Sequence, residues 1–148
     1  TCMETLDITR ALMGIGATGI MQRCVDEAVA YSKQRITFGQ PIGKFQAIQF
    51  MIADMEIKTE TARQMSLHAL QLQEEGLPYS KESAIAKCYA GDMAVKVALD
   101  AIQILGGYGY SREYPVEKLL RDAKIFQIYE GTNQIQRTVI SRAVMGKF

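Results

Sequence analysis

The residues of this chain best suited to chemistry are a carboxylate, a glycine and a hydroxyl in a row, Glu130-Gly131-Thr132. Gly131 allows a positive φ or a close approach of a ligand to the backbone, and Thr132 is a good helix N-cap. Apolar residues follow at helical spacing, namely Ile135, Val139, Ile140 and Val144. Such a helix entrance would hold the Glu130 carboxylate in a fixed position. The same residues also suit a plain helix cap, so both interpretations stay open.

Five helical patterns surround this stretch and must position it. The apolar spacing predicts helices over about 6–34, 45–75, 81–105, 115–124 and 132–145. Gly76 ends the second helix, and the glycine cluster at 106–109 ends the third, which we expect to be buried nearly all round. Residues 35–44 read as a loop, and no segment alternates as a strand would. The sequence therefore predicts an all-α fold, an antiparallel bundle of three long and two shorter helices.

The long helices also predict neighbours. At about 1.5 Å per residue they reach about 40 Å, more than one small core requires, so we expect other domains or subunits to cover them. Gly14, Gly16 and Gly19 match the letters of the dinucleotide fingerprint, but no strand precedes them as that motif requires. We expect these glycines to admit a neighbouring helix or a ligand instead.

Composition excludes several classes of function. The 17 basic and 16 acidic residues give a net charge of +1, with no basic stripe for nucleic acid or a membrane surface. Cys2, Cys24 and Cys88 are few and far apart, which predicts buried thiols in a reducing compartment and no disulfide framework or zinc site. His68 has no second ligand at helical spacing, so no metal site is predicted. No apolar run is long enough to span a bilayer, and the chain looks soluble. Because it does not begin with Met, we expect it to be a segment of a longer protein.

An ordered set of motifs resembles the C-terminal helical domain of the acyl-CoA dehydrogenase flavoproteins, over essentially the whole chain. The motifs lie at residues 7–10, 35–39, 45–46, 103–109, 113–117, 121–124, 128–132 and 135–137. The resemblance implies that residues 1–148 are this one domain. The family's N-terminal helical domain and middle β-domain would then lie outside the chain.

The resemblance implies a reaction of fatty acid β-oxidation, in which an acyl-CoA becomes the trans-2-enoyl-CoA, FAD takes the β-hydride and Glu130 removes the α-proton. Burial beside an apolar acyl chain would strengthen such a base. Relatives similar to the isovaleryl- and long-chain enzymes place the base where this chain has Thr9, which cannot serve, so the arrangement is of the short- and medium-chain type. Gly131 would make room for the thioester, whose carbonyl would accept a hydrogen bond from the Glu130 N–H. Asp7 and Arg10 match positions that contact substrate, although their spacing equally suits an ion pair.

The resemblance also implies the residues that bind FAD. Positions that would reach the pyrophosphate and adenosine of a neighbouring subunit's FAD are Arg35, Thr37, Phe38 and Gln46. Positions of a second contact across the dimer are Gln103, Gly106 and Gly107, and positions near FAD at the last helix are Thr132 and Gln134. The charged motif at 121–124 is interpreted as a structural network that orients the loop before the base.

The partners implied are an acyl-CoA substrate, an electron-transfer flavoprotein as electron acceptor, and further copies in a homodimer or homotetramer. The implied location is the bacterial cytoplasm or the mitochondrial matrix. By itself the chain is expected to be inactive or nearly so. Two alternatives stay open, a helical oligomerisation module without activity of its own and a relative with acyl-CoA oxidase chemistry.

Overall fold

The computed structural model describes the backbone of residues 2–146 and the side chains of residues 6–146. Within that range the chain forms six α-helices: α1 (Cys2–Gln34), α2 (Gln46–Glu74), α3 (Ser80–Leu105), α4 (Gly107–Tyr110), α5 (Val116–Ile125) and α6 (Asn133–Met145). The all-α bundle of three long and two shorter helices is thus confirmed. The single turn α4 is an addition to the predicted set, and α1 begins about four residues earlier than its apolar spacing predicted.

The segment between α1 and α2 contains more structure than the predicted loop. Two short strands, β1 (Ile36–Thr37) and β2 (Gln40–Pro41), pair antiparallel, and a 3₁₀ turn (Ile42–Lys44) leads into α2. Each strand has only two residues, so no period-2 alternation could have revealed it.

The third helix is the centre of the bundle, because α3 packs against every other helix of the described chain. Its buried face consists mainly of small side chains, among them Ala84, Ala86, Ala90, Gly91, Ala94, Ala98 and Ala101. Small residues let neighbouring helix axes approach closely. The expectation of burial nearly all round is wrong along one stripe, where Lys96, Leu99 and Gln103 are exposed.

One seam of α2 is buried and consists of Met55, Thr59, Ala62, Ser66 and Ala69, spaced by three or four residues. Across this seam α1 comes so close that a Cβ at Gly14 would collide with the Ser66 side chain. At Gly14 the close approach expected of a helix-interior glycine is therefore present, whereas a Cβ at Gly19 would meet nothing within 4 Å.

The last two longer helices place the segment 126–132 against the centre of the bundle. Val116, Leu119 and Ala123 of α5 and Asn133 and Gln136 of α6 are buried, and both helices pack on α3. The Glu130 turn is therefore held between two packed helices.

Cys24 and Cys88 are buried free thiols, and burial raises the pKa of Cys24 to about 12. The side chain of Cys2 lies outside the described residues.

None of the helices in the described part of the chain is long and apolar enough to cross a membrane. Large apolar side chains nevertheless remain exposed, among them Phe38, Phe50, Ile57, Tyr110, Val144 and Met145.

Candidate functional site

The Glu130 turn adopts an unusual backbone conformation. Glu130 has φ 56° and Gly131 has φ 85°, so a non-glycine residue lies in the left-handed region. That region costs a residue with a Cβ about 1–2 kcal/mol. Such conformations persist only where the surroundings impose them, and they cluster at functional sites. The contacts around Glu130 therefore determine what the turn can do.

The carboxylate of Glu130 is oriented by the first helix. The Thr9 hydroxyl of α1 donates a hydrogen bond to Glu130 Oε2 at 2.9 Å, and Glu130 is half-buried. Thr9 is the position at which the resemblance implied an alternative base in other relatives. In this fold the two positions are neighbours in space although 121 residues separate them.

The predicted ion pair between Asp7 and Arg10 is confirmed. Arg10 Nη1 lies 2.6 Å from Asp7 Oδ1, and both residues are buried. The main-chain oxygen of Asp7 accepts a hydrogen bond from Ser83 Oγ at 2.5 Å, which ties α1 to α3. Arg10 Nε is buried and finds no acceptor among the described residues. The pair thus holds a guanidinium inside the bundle with one donor uncommitted.

The predicted helix cap is confirmed as well, because Thr132 Oγ1 accepts the backbone N–H of Ile135 at 3.3 Å. The two residues before this cap have backbone oxygens bound by buried side chains. Lys87 Nζ donates to the oxygen of Gly131, and Gln136 Nε2 donates to the oxygens of both Glu130 and Gly131.

Asp92 of α3 connects three parts of the chain around the turn. Its carboxylate accepts hydrogen bonds from Gln127 Nε2, Asn133 Nδ2 and Arg137 Nη2 at 2.8, 2.9 and 2.6 Å. Burial raises the pKa of the Asp92 carboxyl, but these hydrogen bonds outweigh it and hold the pKa below its ordinary value. Asp92 therefore stays ionised and joins α3, the loop before Glu130 and α6.

The charged motif at 121–124 contributes less to this loop than its sequence indicated. Arg121 pairs with Glu117 on its own helix, and Lys124 donates to Gln127, both at exposed positions. Exposed pairs of this kind contribute little to stability. The Asp92 carboxylate makes the more extensive connection, because three donors from the loop and from α6 converge on one half-buried group.

Four of the predicted cofactor residues line one cavity of about 610 Å³: Arg35, Thr37, Gly106 and Gly107. The sequence had assigned them to two separate contacts, and the fold brings both to the same place. A Cβ at Gly106 or Gly107 would meet nothing within 4 Å, so the backbone there is open to the cavity. Tyr31, Ser111 and Glu113 contribute further polar groups to its wall. The chemistry of this wall, with one arginine and accessible backbone, suits a phosphate-bearing ligand.

The remaining predicted cofactor residues lie elsewhere. Thr132 and Gln134 line a second cavity of about 410 Å³ beside Asp92 and Asn133 at the start of α6. Phe38, Gln46 and Gln103 are exposed and line neither cavity. Phe38 is 96% exposed, and its ring lies perpendicular to that of Phe45 with centroids 6.3 Å apart.

Within the described residues no group of three or more His, Cys, Asp or Glu side chains could hold a metal ion. His68 is exposed on α2.

Sequence reasoning missed the residues that hold the turn from beneath: Lys87, Asp92, Asn133 and Gln136. One signal could have revealed Lys87. It lies on the buried stripe of α3 together with Ser83 and Ala90, at a position where a helix normally carries a small or apolar residue. A lysine at a buried helix position indicates that a hydrogen-bond acceptor lies next to its ammonium inside the protein.

Comparisons with known proteins agree with the motifs. The profile of the acyl-CoA dehydrogenase C-terminal domain matches residues 1–145. Over 144 residues the chain is 51% identical to an acyl-CoA dehydrogenase of Bacillus subtilis (strain 168), covering 97% of this chain and 38% of that protein.

Solved structures show the same relationship. The butyryl-CoA dehydrogenase of Megasphaera elsdenii superposes with a TM-score of 0.95 at 48% identity, covering 97% of this chain and 37% of that one. A chain from the structure of the electron transferring flavoprotein of Acidaminococcus fermentans superposes with a TM-score of 0.96 at 53% identity, covering 99% of this chain and 38% of that one. The chain thus spans well under half the length of the proteins it matches.

Proposed function

This chain belongs to the acyl-CoA dehydrogenase family, as its C-terminal domain, and from that premise we propose that the protein containing it oxidises an acyl-CoA to the trans-2-enoyl-CoA. Glu130 is the base that removes the proton from the α-carbon of the thioester. The observation that carries this proposal is the Glu130 carboxylate itself. It is held by Thr9 in a left-handed turn whose backbone oxygens are bound by buried donors.

The geometry of the turn supplies what a base needs. Thr9 donates to one carboxylate oxygen, which orients the group without removing its negative charge. Within the described residues no acceptor takes the backbone N–H of Glu130. This N–H is therefore free to donate to the thioester carbonyl and to stabilise the negative charge that develops there as the proton leaves. At Gly131 a Cβ would lie 2.8 Å from Gln136 Nε2, so a residue without a side chain is needed between Gln136 and the thioester.

FAD, when bound, supplies the acceptor for the hydride that leaves the β-carbon. Arg35 and Thr37 would hold its phosphates from one side of the larger cavity, and the open backbone of Gly106 and Gly107 would bring main-chain atoms close on the other. The N-terminus of α6, with Thr132 and Gln134, would offer a second region of positive potential. We assign Phe38, Gln46 and Gln103 to the edge of this site, where a neighbouring subunit or domain would bring FAD to them.

Asp7 and Arg10 would contribute to the substrate side as a buried ion pair that fixes the start of α1 beside Thr9 and Glu130. The placement of the base favours the short- and medium-chain type, and the 48% identity to a butyryl-CoA dehydrogenase favours a short-chain acyl-CoA within it. The likeness to a chain from an electron transferring flavoprotein structure favours such a flavoprotein as the electron acceptor. The relatives from Bacillus subtilis and Megasphaera elsdenii are bacterial, which favours the bacterial cytoplasm as the location.

The exposed apolar side chains favour a second role for the same chain. Phe38, Phe50 and Ile57 are all more than half exposed, although such residues are normally buried. We assign these surfaces to contacts with further domains and with other copies in a dimer or tetramer. The chain by itself would then be an assembly module with little activity, and a colourless oligomer of residues 1–148 would be the expected product of isolating it.

The Glu130→Gln substitution in the full-length protein tests the proposed base. The neutral amide keeps the size of the side chain but cannot take a proton, so flavin reduction by acyl-CoA should slow by roughly 10²- to 10⁴-fold. Anaerobic stopped-flow absorbance measures the rate, and the flavin spectrum checks that FAD remains bound. Glu74→Gln, an exposed carboxylate on α2, is the matched control and should leave the rate unchanged.

Near-normal flavin reduction in Glu130→Gln would remove Glu130 from the mechanism. Rapid reoxidation of the reduced wild-type flavin by oxygen would instead assign the protein to the oxidase alternative.

A further inference from the structure

A buried lysine lies directly beneath the Glu130 turn. The Lys87 side chain of α3 is only 1% exposed. An ammonium removed from water is unfavourable unless it is hydrogen-bonded, and an apolar side chain of similar size would fill the same space without that cost. Packing alone therefore does not account for a lysine at this position.

The ammonium of Lys87 binds two oxygens of the turn and of the helix that follows. Nζ donates to the main-chain oxygen of Gly131 at 2.6 Å and to Asn133 Oδ1 at 2.9 Å. Asn133 in turn donates through Nδ2 to the main-chain oxygen of Cys88 at 3.0 Å. Because Cys88 also lies on α3, this bond connects the start of α6 to the same helix. Lys87 thus links the residue after Glu130 to the rigid centre of the bundle.

The Gly131 oxygen is the point at which this link acts on the base. Gln136 Nε2 reaches the oxygens of Gly131 and Glu130 at 3.0 and 3.2 Å, so α3 and α6 both hold the left-handed pair. Hydrogen bonds from two sides restrict the rotation of the Gly131 peptide group. The backbone of Glu130 and Gly131 is then restrained by these contacts, and the Thr9 hydroxyl orients the carboxylate that the backbone presents.

We propose that Lys87 is a positioning residue for the reaction, because its ammonium holds the Gly131 carbonyl and with it the left-handed conformation that presents the Glu130 carboxylate. This inference rests on the proposed function, in which Glu130 is the base.

The charges around Lys87 are consistent with an ammonium at neutral pH. Burial lowers the pKa of Lys87 to about 8, and the charge of Arg10 on α1 acts in the same direction. The groups that oppose them and favour the charged form are Cys88 and Asp92 on α3 and Glu130 on the turn. A charged donor forms a stronger hydrogen bond to a carbonyl than a neutral one.

Lys87→Met in the full-length holoenzyme is the decisive variant, since it keeps the length of the side chain and removes every donor. Misplacement of a catalytic group by about 1 Å can cost roughly 100-fold in rate, so we expect flavin reduction to slow by about 10- to 100-fold. The flavin content and the KM for acyl-CoA should stay near the wild-type values. Lys96→Met, an exposed lysine on the same helix, is the matched control and should behave as the wild type.

Lys87→Arg supplies the rescue experiment, because a guanidinium can still donate to the Gly131 oxygen. It should recover most of the rate lost in Lys87→Met. A wild-type rate in Lys87→Met would overturn the inference, and so would a loss of rate that only follows a loss of flavin or of helical circular dichroism. If Lys87→Met does not fold, Lys87→Leu, which also lacks any donor, replaces it, and a wild-type rate in that variant would likewise overturn the inference.

Amide hydrogen exchange tests the inference independently of catalysis. The N–H of Asn133 donates to the oxygen of Gln127 at 3.0 Å and closes the loop that contains Glu130. This amide should exchange faster in Lys87→Met than in the wild type or in Lys96→Met, and equal exchange would count against the link. A wild-type protein that transfers no electrons from any acyl-CoA would contradict the proposed function and leave this measurement to decide the role of Lys87.

Discussion

Two turns of this protein share one backbone conformation and differ in what imposes it. Phe38 and Gly39 have φ values of 50° and 78°, and Glu130 and Gly131 have values of 56° and 85°. In both turns a residue with a side chain precedes a glycine and lies in the left-handed region. Phe38 is 96% exposed, whereas Glu130 is half-buried and surrounded by hydrogen-bonded groups.

The Phe38 turn is imposed locally. Thr37 pairs with Gln40 across the hairpin, so Phe38 and Gly39 are the two residues of its loop. Two-residue hairpin loops favour positive φ at both positions because this matches the twist of the strands. Neighbours in sequence are therefore sufficient to produce it.

The Glu130 turn has no strands to impose its conformation. Its donors are Lys87 and Gln136, which lie 44 and 5 residues from Gly131 in the chain. The difference between the turns shows that one conformation can arise from local pairing or from tertiary contacts. Only the second kind also orients a side chain that can act on a ligand.

The largest expected effect is a difference in the loss of stability when the glycine of each turn is replaced by alanine. Gly131→Ala and Gly39→Ala both place a Cβ in the left-handed region, at a cost of about 1–2 kcal/mol. At Gly131 the Cβ would also lie 2.8 Å from Gln136 Nε2, whereas at Gly39 it would meet nothing within 4 Å. We expect Gly131→Ala to lower the free energy of unfolding by about 2–5 kcal/mol, and Gly39→Ala by about 1–2 kcal/mol.

Urea unfolding followed by circular dichroism measures both losses. Equal destabilisation by the two substitutions would mean that the Glu130 turn is as loosely held as the hairpin, contrary to the contacts described above.

The next effect is a pH dependence of stability that only the Glu130 turn should show. The folded pKa of Lys87 is about 8 and its ordinary value is 10.5, so between these values the unfolded chain binds more protons than the folded one. Stability must therefore rise with pH in this window, by about 2 kcal/mol between pH 8 and pH 10. The measurement is the difference in the free energy of unfolding between wild type and Lys87→Met across that range.

The difference between wild type and Lys87→Met is needed because the raised pKa of Cys24 makes the free energy of unfolding fall with pH. Its raised pKa keeps the folded thiol protonated while the unfolded thiol ionises, so its contribution falls as the pH rises above 9. That contribution is common to both proteins. A difference that does not change with pH would show that Lys87 is not a buried ammonium.

The smallest effect concerns the hairpin side of the molecule. Arg35→Ala should weaken the retention of FAD by about tenfold, because one charge-assisted contact to phosphate is lost. Flavin content after gel filtration measures it, with Lys33→Ala as the matched control for the loss of one positive charge nearby. When excess FAD restores full occupancy, the rate of flavin reduction should return. A rate that stays low at full FAD occupancy would mean that Arg35 also affects the Glu130 turn, so the hairpin and the turn would not act independently.

Much of the fold was predictable because it depends on local spacing. The α2 seam from Met55 to Ala69, the ion pair between Asp7 and Arg10 and the Thr132 cap each involve residues within a few turns of one another. The short strands of the hairpin escaped prediction because two residues are too few for a period to be seen. The start of α1 was placed too late because its first residues lack the apolar repeat.

The candidate site was predictable only in part. The ordered motifs pointed to Glu130 and to the cavity residues Arg35 and Gly106, whereas the charged motif at 121–124 gave no indication of the hydrogen bonds centred on Asp92. Lys87 and Asp92 were missed because a cation and a carboxylate on a helix normally indicate an exposed face. Their burial depends on how α3 packs against α6.

The sequence by itself determined the five longer helices and the Thr132 cap, since these follow from residue type and short-range spacing, and the resemblance of its motifs singled out Glu130. Only the tertiary structure decided that Thr9, Lys87 and Gln136 meet at one turn, because these residues come from three different helices. Their contacts arise from close packing of α1, α3 and α6, which no local pattern specifies. A glutamate before a glycine becomes a candidate base through that packing.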